Sequence, residues 1–174
     1  MKSDRFENPI IQYTKWQLSW LVLLRITIGW HFLYEGIAKL SNPDWSAIGF
    51  LLDSKGFLSG FFYGLANNSG ILNVVDFLNI WGLILIGAGL ILGSFTRISA
   101  IAGMVLLAFY YLSHPPFVGL TFAVPGEGSY LIVNKNLIEF FALAILVVFP
   151  TGHIIGLDRF VQGLKPVNKQ YRTR

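Results

Sequence analysis

Residues 18–40 read LSWLVLLRITIGWHFLYEGIAKL. As a helix this run spans about 34 Å, close to the thickness of a bilayer core. Four positions in it can carry charge: Arg25, His31, Glu35 and Lys39. Each helical residue turns by about 100°, so Arg25, Phe32, Glu35, Gly36 and Lys39 fall within about a third of the circumference, with His31 at its margin. The opposite side is Leu, Ile, Val and Trp. A charge at mid-bilayer costs at least ~2.5 kcal/mol, so this stripe cannot face lipid. It must face other helices, and the run is expected to form the inner wall of whatever site the protein has.

Charged residues make up 13% of the 174-residue chain, about half the usual share of a globular domain. Further apolar runs cover about 72–93, 97–113 and 133–150. The expected fold is all-α: an integral membrane four-helix bundle with an interfacial helical segment between spans one and two. The organisation follows as a tail over 1–16, a four-span domain over 17–150 and a basic tail over 151–174. Asp4, Glu7 and Pro9 interrupt the first twenty residues, so the first span is expected to serve as an uncleaved signal. The chain has no cysteine. Disulfides, iron–sulfur clusters and covalently attached haem are thereby excluded.

Between spans one and two, residues 41–71 hold apolar patches too short to cross a bilayer, broken by Asp44, Asp53 and Lys55. They predict one or two helical segments lying in the interface. Their Phe and Trp side chains should dock on the helices, since a free segment would expose a large apolar patch. Gly89-x-x-x-Gly93 and Ser99-x-x-x-Gly103 permit close helix approach. That spacing suits packing within the chain better than a homo-oligomer, which it also allows. His114-Pro115-Pro116 stops span three, and the runs flanking Pro125-Gly126-Glu127-Gly128 suggest a hairpin-like loop.

Basic residues set the expected orientation. With both termini inside, the cytoplasmic segments hold Lys2, Arg5, Lys15, Arg97, Arg159, Lys165, Lys169, Arg172 and Arg174, whereas the outside loops hold only Lys55. The positive-inside rule then gives a multi-pass protein of the cytoplasmic membrane with cytoplasmic N and C termini. The basic tail reads as topology and lipid headgroup contact, not nucleic-acid binding.

This orientation gathers scattered polar residues into one layer. His31, Glu35 and Lys39 lie in the outer half of span one, Asp76 and Asn79 begin span two, His114 ends span three, and Lys135 and Glu139 begin span four. Glu35 and Lys39, four apart with the acid first, form a favourable helix pair. Asp76 and Glu139 suit the positive ends of their helices, and Lys135 also fits an interfacial anchor. Arg25 lies nearer the other face, where no acidic residue of another span is expected. It is expected to snorkel to the cytoplasmic interface, to bond carbonyls of a neighbouring helix, or to hold an oxygen-rich ligand. His31 and His114 lie at a depth where a b-type haem is conceivable, but local hydrogen bonding is the better reading of such histidines. No metal-ligand spacing, phosphate loop or nucleophile constellation is present.

Arg25-x3-Gly29-x2-Phe32-Leu33-x2-Gly36-x2-Lys39-Leu40 resembles the opening signature of the DoxX/DoxD family of small four-helix membrane proteins. Gly82 to Gly87, Gly93-Ser-Phe-Thr96-Arg97, Asn136 to Glu139 and Gly156-Leu157-Asp158 resemble later parts of the same family. The resemblance implies the membrane subunit of a thiosulfate:quinone oxidoreductase, working with a second subunit, or else a membrane chaperone or scaffold for a partner protein. It implies a quinone as cofactor and carries over Arg25, Glu35, Lys39 and Glu139 as polar core. A quinone needs donors for two carbonyls, which Lys, Arg or His can supply, and protons, which Glu35, Asp76 or Glu139 can relay. Trp45, Phe50, Phe57, Phe61, Phe62 and Tyr63 would then form its entrance from the lipid.

Overall fold

The computed structural model describes residues 13–123 and 131–159, and every regular element among them is an α-helix. Residues 1–12 of the expected 1–16 tail, the centre of the expected hairpin at 124–130 and residues 160–174 of the expected 151–174 basic tail lie outside the described residues. Helix α1 (Lys15–Leu40) starts at a capping box: Thr14 Oγ1 accepts from the Gln17 N–H while Gln17 Oε1 accepts from the Thr14 N–H. Two short helices follow, α2 (Ile48–Leu52) and α3 (Ser59–Ala66), where interfacial segments were expected. Then come α4 (Ser69–Leu92), α5 (Thr96–Ser113) and α6 (Lys135–Val148).

Helices α1, α4 and α5 are long and apolar enough to cross a membrane. Their outward faces are lined with exposed Trp30, Leu85, Ile98 and Ile101, as a lipid-facing surface requires. The fourth expected span, 133–150, is realised only in part. Helix α6 has 14 residues, about 21 Å, short of a bilayer core. Asn134 caps its start by accepting from the Leu137 N–H, and Pro150 disfavours a helical Phe149 at its end.

Helices α1, α4, α5 and α6 meet in that cyclic order, with α1 and α6 sharing the sparsest of the four contacts. Their common core is Ile28, Phe32, Leu83, Ile86, Leu90, Ala100, Leu107, Leu143 and Leu146. The α1–α4 seam is close because glycine lines it. A Cβ added at Gly36 would come within 2.9 Å of the Ile84 backbone nitrogen. Gly89 faces Ser99 of α5, so the small-residue faces read from the sequence do serve packing within the chain.

The two ends of the helices are closed differently. At one end α2 and α3 dock, burying Ala47, Leu51, Phe62 and Ala66 against Leu72 and Val75 of α4 and Leu112 of α5. At the other, Gly93 turns the chain from α4 to α5 in the left-handed region (φ 67°). Residues 151–158 then fold back against that turn, with the Asp158 N–H donating to the Gly93 carbonyl at 2.9 Å.

Candidate functional site

The end covered by α2 and α3 holds a cavity of about 660 Å³, lined from all four packed helices and from the covering segments. That volume is the size of a pocket for a small organic ligand. Of the nine residues singled out in the sequence, seven line it: His31, Glu35, Lys39, Asn79, His114, Lys135 and Glu139. Their convergence follows from the helix spacing. Lys39, Glu35 and His31 climb one face of α1 in steps of four, and Lys135 and Glu139 do the same on α6.

The polar groups are arranged in pairs. Lys39 Nζ donates to Glu35 Oε2 at 2.7 Å, the i,i+4 pair expected from the sequence, and sits 5.6 Å from the Trp45 ring centre. His31 Nδ1 lies 2.9 Å and 3.1 Å from the two Glu139 oxygens and bridges α1 to α6. Asn79 Nδ2 donates to the Tyr110 hydroxyl at 2.8 Å, bridging α4 to α5. The other Asn79 atom, Oδ1, is buried without a hydrogen-bond partner.

Aromatic rings form the wall above these pairs. The His114 imidazole stacks on Phe50 at 4.0 Å between ring centres and tilts against Phe122 at 4.6 Å. Its Nδ1 is 3.1 Å from Ser113 Oγ. Its Nε2 is 3.7 Å from Asp53 Oδ2, beyond hydrogen-bond range, so Asp53 acts on the ring only as a nearby charge. Burial pushes the His114 imidazole below its usual pKa of 6.5, and the Asp53 carboxylate opposes that shift. Asp53 also accepts from the Ala123 N–H at 2.7 Å, and Lys55 donates to the Thr121 carbonyl. These two contacts tie the loop after α5 to the α2–α3 segment as a roof. Phe57 and Phe61, expected at an entrance, are exposed and absent from the cavity lining, while Phe62 belongs to the apolar cluster by which α2 and α3 dock.

Two sequence candidates are elsewhere. Asp76 is absent from the cavity lining; its Oδ1 accepts from the Ala47 N–H at 2.8 Å and anchors the start of α2 to α4. Arg25 is at the opposite end, 2% exposed, with Nη1 donating to Thr151 Oγ1 at 3.0 Å. It does not snorkel to a surface, because the returning segment 151–158 covers it. Asp158, near enough to act on it electrostatically, supplies the negative charge that no span provides.

Sequence reasoning missed Tyr110, Thr151 and the helix-capping part played by Asp158. Tyr110 precedes His114 by four residues, so it shares a helical face with a residue already singled out; that spacing was the available signal. Nothing local marks Thr151. Among the described residues no group of His, Asp and Glu suited to a metal ion occurs.

A sequence model of the family described as DoxX matches residues 20–115, more than half of the chain. No curated protein and no solved structure matches.

Proposed function

The chain belongs to the DoxX family of membrane proteins, and from that premise we propose that it is the membrane subunit of a quinone-linked redox system, with the cavity as its quinone site. In this reading α6 completes a fourth span, and the helices form a four-helix bundle in the cytoplasmic membrane with both termini cytoplasmic. The cavity then opens in the outer half of the membrane.

One observation carries the proposal. Polar groups of α1, α4, α5 and α6 converge on a pocket whose remaining surface is aromatic and aliphatic. A lipid-soluble ring with oxygen substituents matches that combination, since each buried oxygen needs a partner and the ring needs apolar contact. The residues present fit such a group. The Tyr110 hydroxyl, which accepts from Asn79, keeps a proton to donate to a carbonyl oxygen, Asn79 Oδ1 is a buried acceptor for a quinol hydroxyl, and Phe50 and His114 add aromatic lining.

When bound, a quinone supplies the capacity to take up two electrons and two protons, the electrons coming from a reduced partner subunit. The protein's own part is binding, orientation and protons. His31 and Glu139 share a hydrogen bond that can hold a proton at Nδ1 or at a carboxylate oxygen. Lys39 holds the Glu35 carboxylate in place beside them through its 2.7 Å contact. The roof of α2, α3 and the loop after α5 covers one end of the site.

Purification of the full chain in mild detergent tests this. Co-purified quinone, with the absorbance change of its reduction, is expected, together with a second protein in fixed ratio. Glu139→Gln should lower the quinone content while the protein stays folded.

A second reading, a non-catalytic scaffold or chaperone for a partner protein, draws on the self-pairing of the polar groups: Lys39–Glu35 and His31–Glu139 already satisfy one another. A stoichiometric partner with no bound quinone would favour it.

A further inference from the structure

The packing order α1, α4, α5, α6 gives the cavity four corners, one at each helix seam. Two seams carry polar bridges: Asn79–Tyr110 joins α4 to α5, and His31–Glu139 joins α6 to α1. In that order these seams are diagonally opposite. Phe32, Leu83 and Leu107 give the lining an apolar floor, Phe50 with its stacked His114 lies above, and the charged Glu35, Lys39 and Lys135 come from α1 and α6, the helices of the second corner.

The two corners differ in chemistry. At the α6–α1 corner both partners are ionisable. At the α4–α5 corner neither ionises near neutral pH, and each has hydrogen-bonding capacity left over. The Tyr110 hydroxyl accepts from Asn79 Nδ2, which leaves its own proton to donate. Asn79 Oδ1 is buried with no donor. Whichever way the amide is turned, the pair presents at least one donor and one acceptor. A buried acceptor left in this state is destabilising, and a bound hydroxyl would relieve it.

We infer that Asn79 and Tyr110 form a neutral anchor for one oxygen of a ring carrying two oxygens on opposite edges, a para-quinone or its quinol, while His31–Glu139 receives the other. This deepens the quinone reading and rests on it. The anchor serves both redox forms without movement: the hydroxyl donates to a carbonyl oxygen, and the amide oxygen accepts from a quinol hydroxyl. Tyr110 is thereby a specificity-determining residue, and its ring is held in place by an edge-on contact with Phe50 at 5.6 Å.

The test is a titration of the full chain in detergent with decylubiquinone and, separately, with decylubiquinol, followed by fluorescence quenching of Trp45, which lines the cavity. For the amide as placed here, Tyr110→Phe should weaken the quinone roughly five- to tenfold, the equivalent of one hydrogen bond, and leave the quinol nearly unchanged. Asn79→Leu should weaken the quinol in turn. Unequal loss between the two forms, in either direction, supports the anchor, because a purely structural brace between α4 and α5 would weaken both alike. Equal loss, or none, overturns it while leaving the quinone reading standing. Failure of the unaltered protein to bind either form overturns both. Should Tyr110→Phe fold poorly, Asn79→Leu reads the same discrimination by itself.

Discussion

Asp158 caps helix α5 from a point sixty-two residues beyond Thr96. One carboxylate oxygen accepts from the Phe95 N–H at 2.7 Å, and the other accepts from the Thr96 N–H at 3.2 Å and the Thr96 hydroxyl at 3.0 Å. The helix has no cap of its own, because Phe95 at its N-cap position lies in the left-handed region (φ 50°) and offers no side-chain acceptor. Its first N–H groups therefore depend on a residue of the returning segment. Asp158→Ala should cost about 1–3 kcal/mol, more than an exposed cap, since it removes three bonds at a half-buried site. Thermal unfolding in detergent measures this. Asp158→Asn should restore part of the loss by keeping one acceptor.

Arg25 should prove structural. Its guanidinium is enclosed, bonded to Thr151 and near Asp158, at the end of the molecule away from the cavity. Arg25→Lys keeps the charge but loses the planar fork of donors. It should lower thermal stability by about 1–3 kcal/mol and leave cavity ligand binding unchanged. A loss of ligand with unchanged melting temperature would restore Arg25 to the ligand site.

The two ion pairs should not respond equally. Glu35 is nearly half exposed, so the Glu35–Lys39 pair is worth at most about 0.5–1 kcal/mol, and Glu35→Gln should barely shift the unfolding midpoint. Glu139 is 12% exposed and links two helices that otherwise touch little. Glu139→Leu should cost about 1–3 kcal/mol, because the His31 ring loses its hydrogen bond across that seam. Adding His31→Leu should recover much of that cost if the pair only fastens helices. If the pair serves a ligand, the double variant should regain stability and still fail to bind quinone.

The roof should loosen in acid. The His114 pKa is lowered in the folded protein, chiefly by burial, against 6.5 for a free imidazole. A group depressed on folding takes up its proton more readily in the unfolded chain, so its stabilising effect is complete above about pH 6.5 and is lost as pH falls through the folded value. Protonation would place a charge between Phe50 and Phe122, with Asp53 offsetting part of the cost and Lys55 adding to it. Melting temperature should decline below about pH 6.5, and His114→Phe should flatten that slope. Proteolysis at the loop after α5 gives a local readout.

What the chain determines by itself is what periodicity and length encode. Apolar runs fix the spans, Pro115 and Pro150 fix where helices stop, and steps of four place Glu35 with Lys39 and His31 on one face. Even here α6 fell short of its apolar run, since a capping Asn and a proline override hydropathy. The tertiary structure decided which stripe residues belong together. Arg25 lies on the same face of α1 as Glu35, yet ends in a different site ten residues away, because the returning segment 151–158 closes over it. Tyr110 reads as an ordinary aromatic until the rotation of α5 against α4 brings it to Asn79. Such pairings depend on how helices turn and close on one another, and that is settled by packing the whole core rather than by any local pattern of residues.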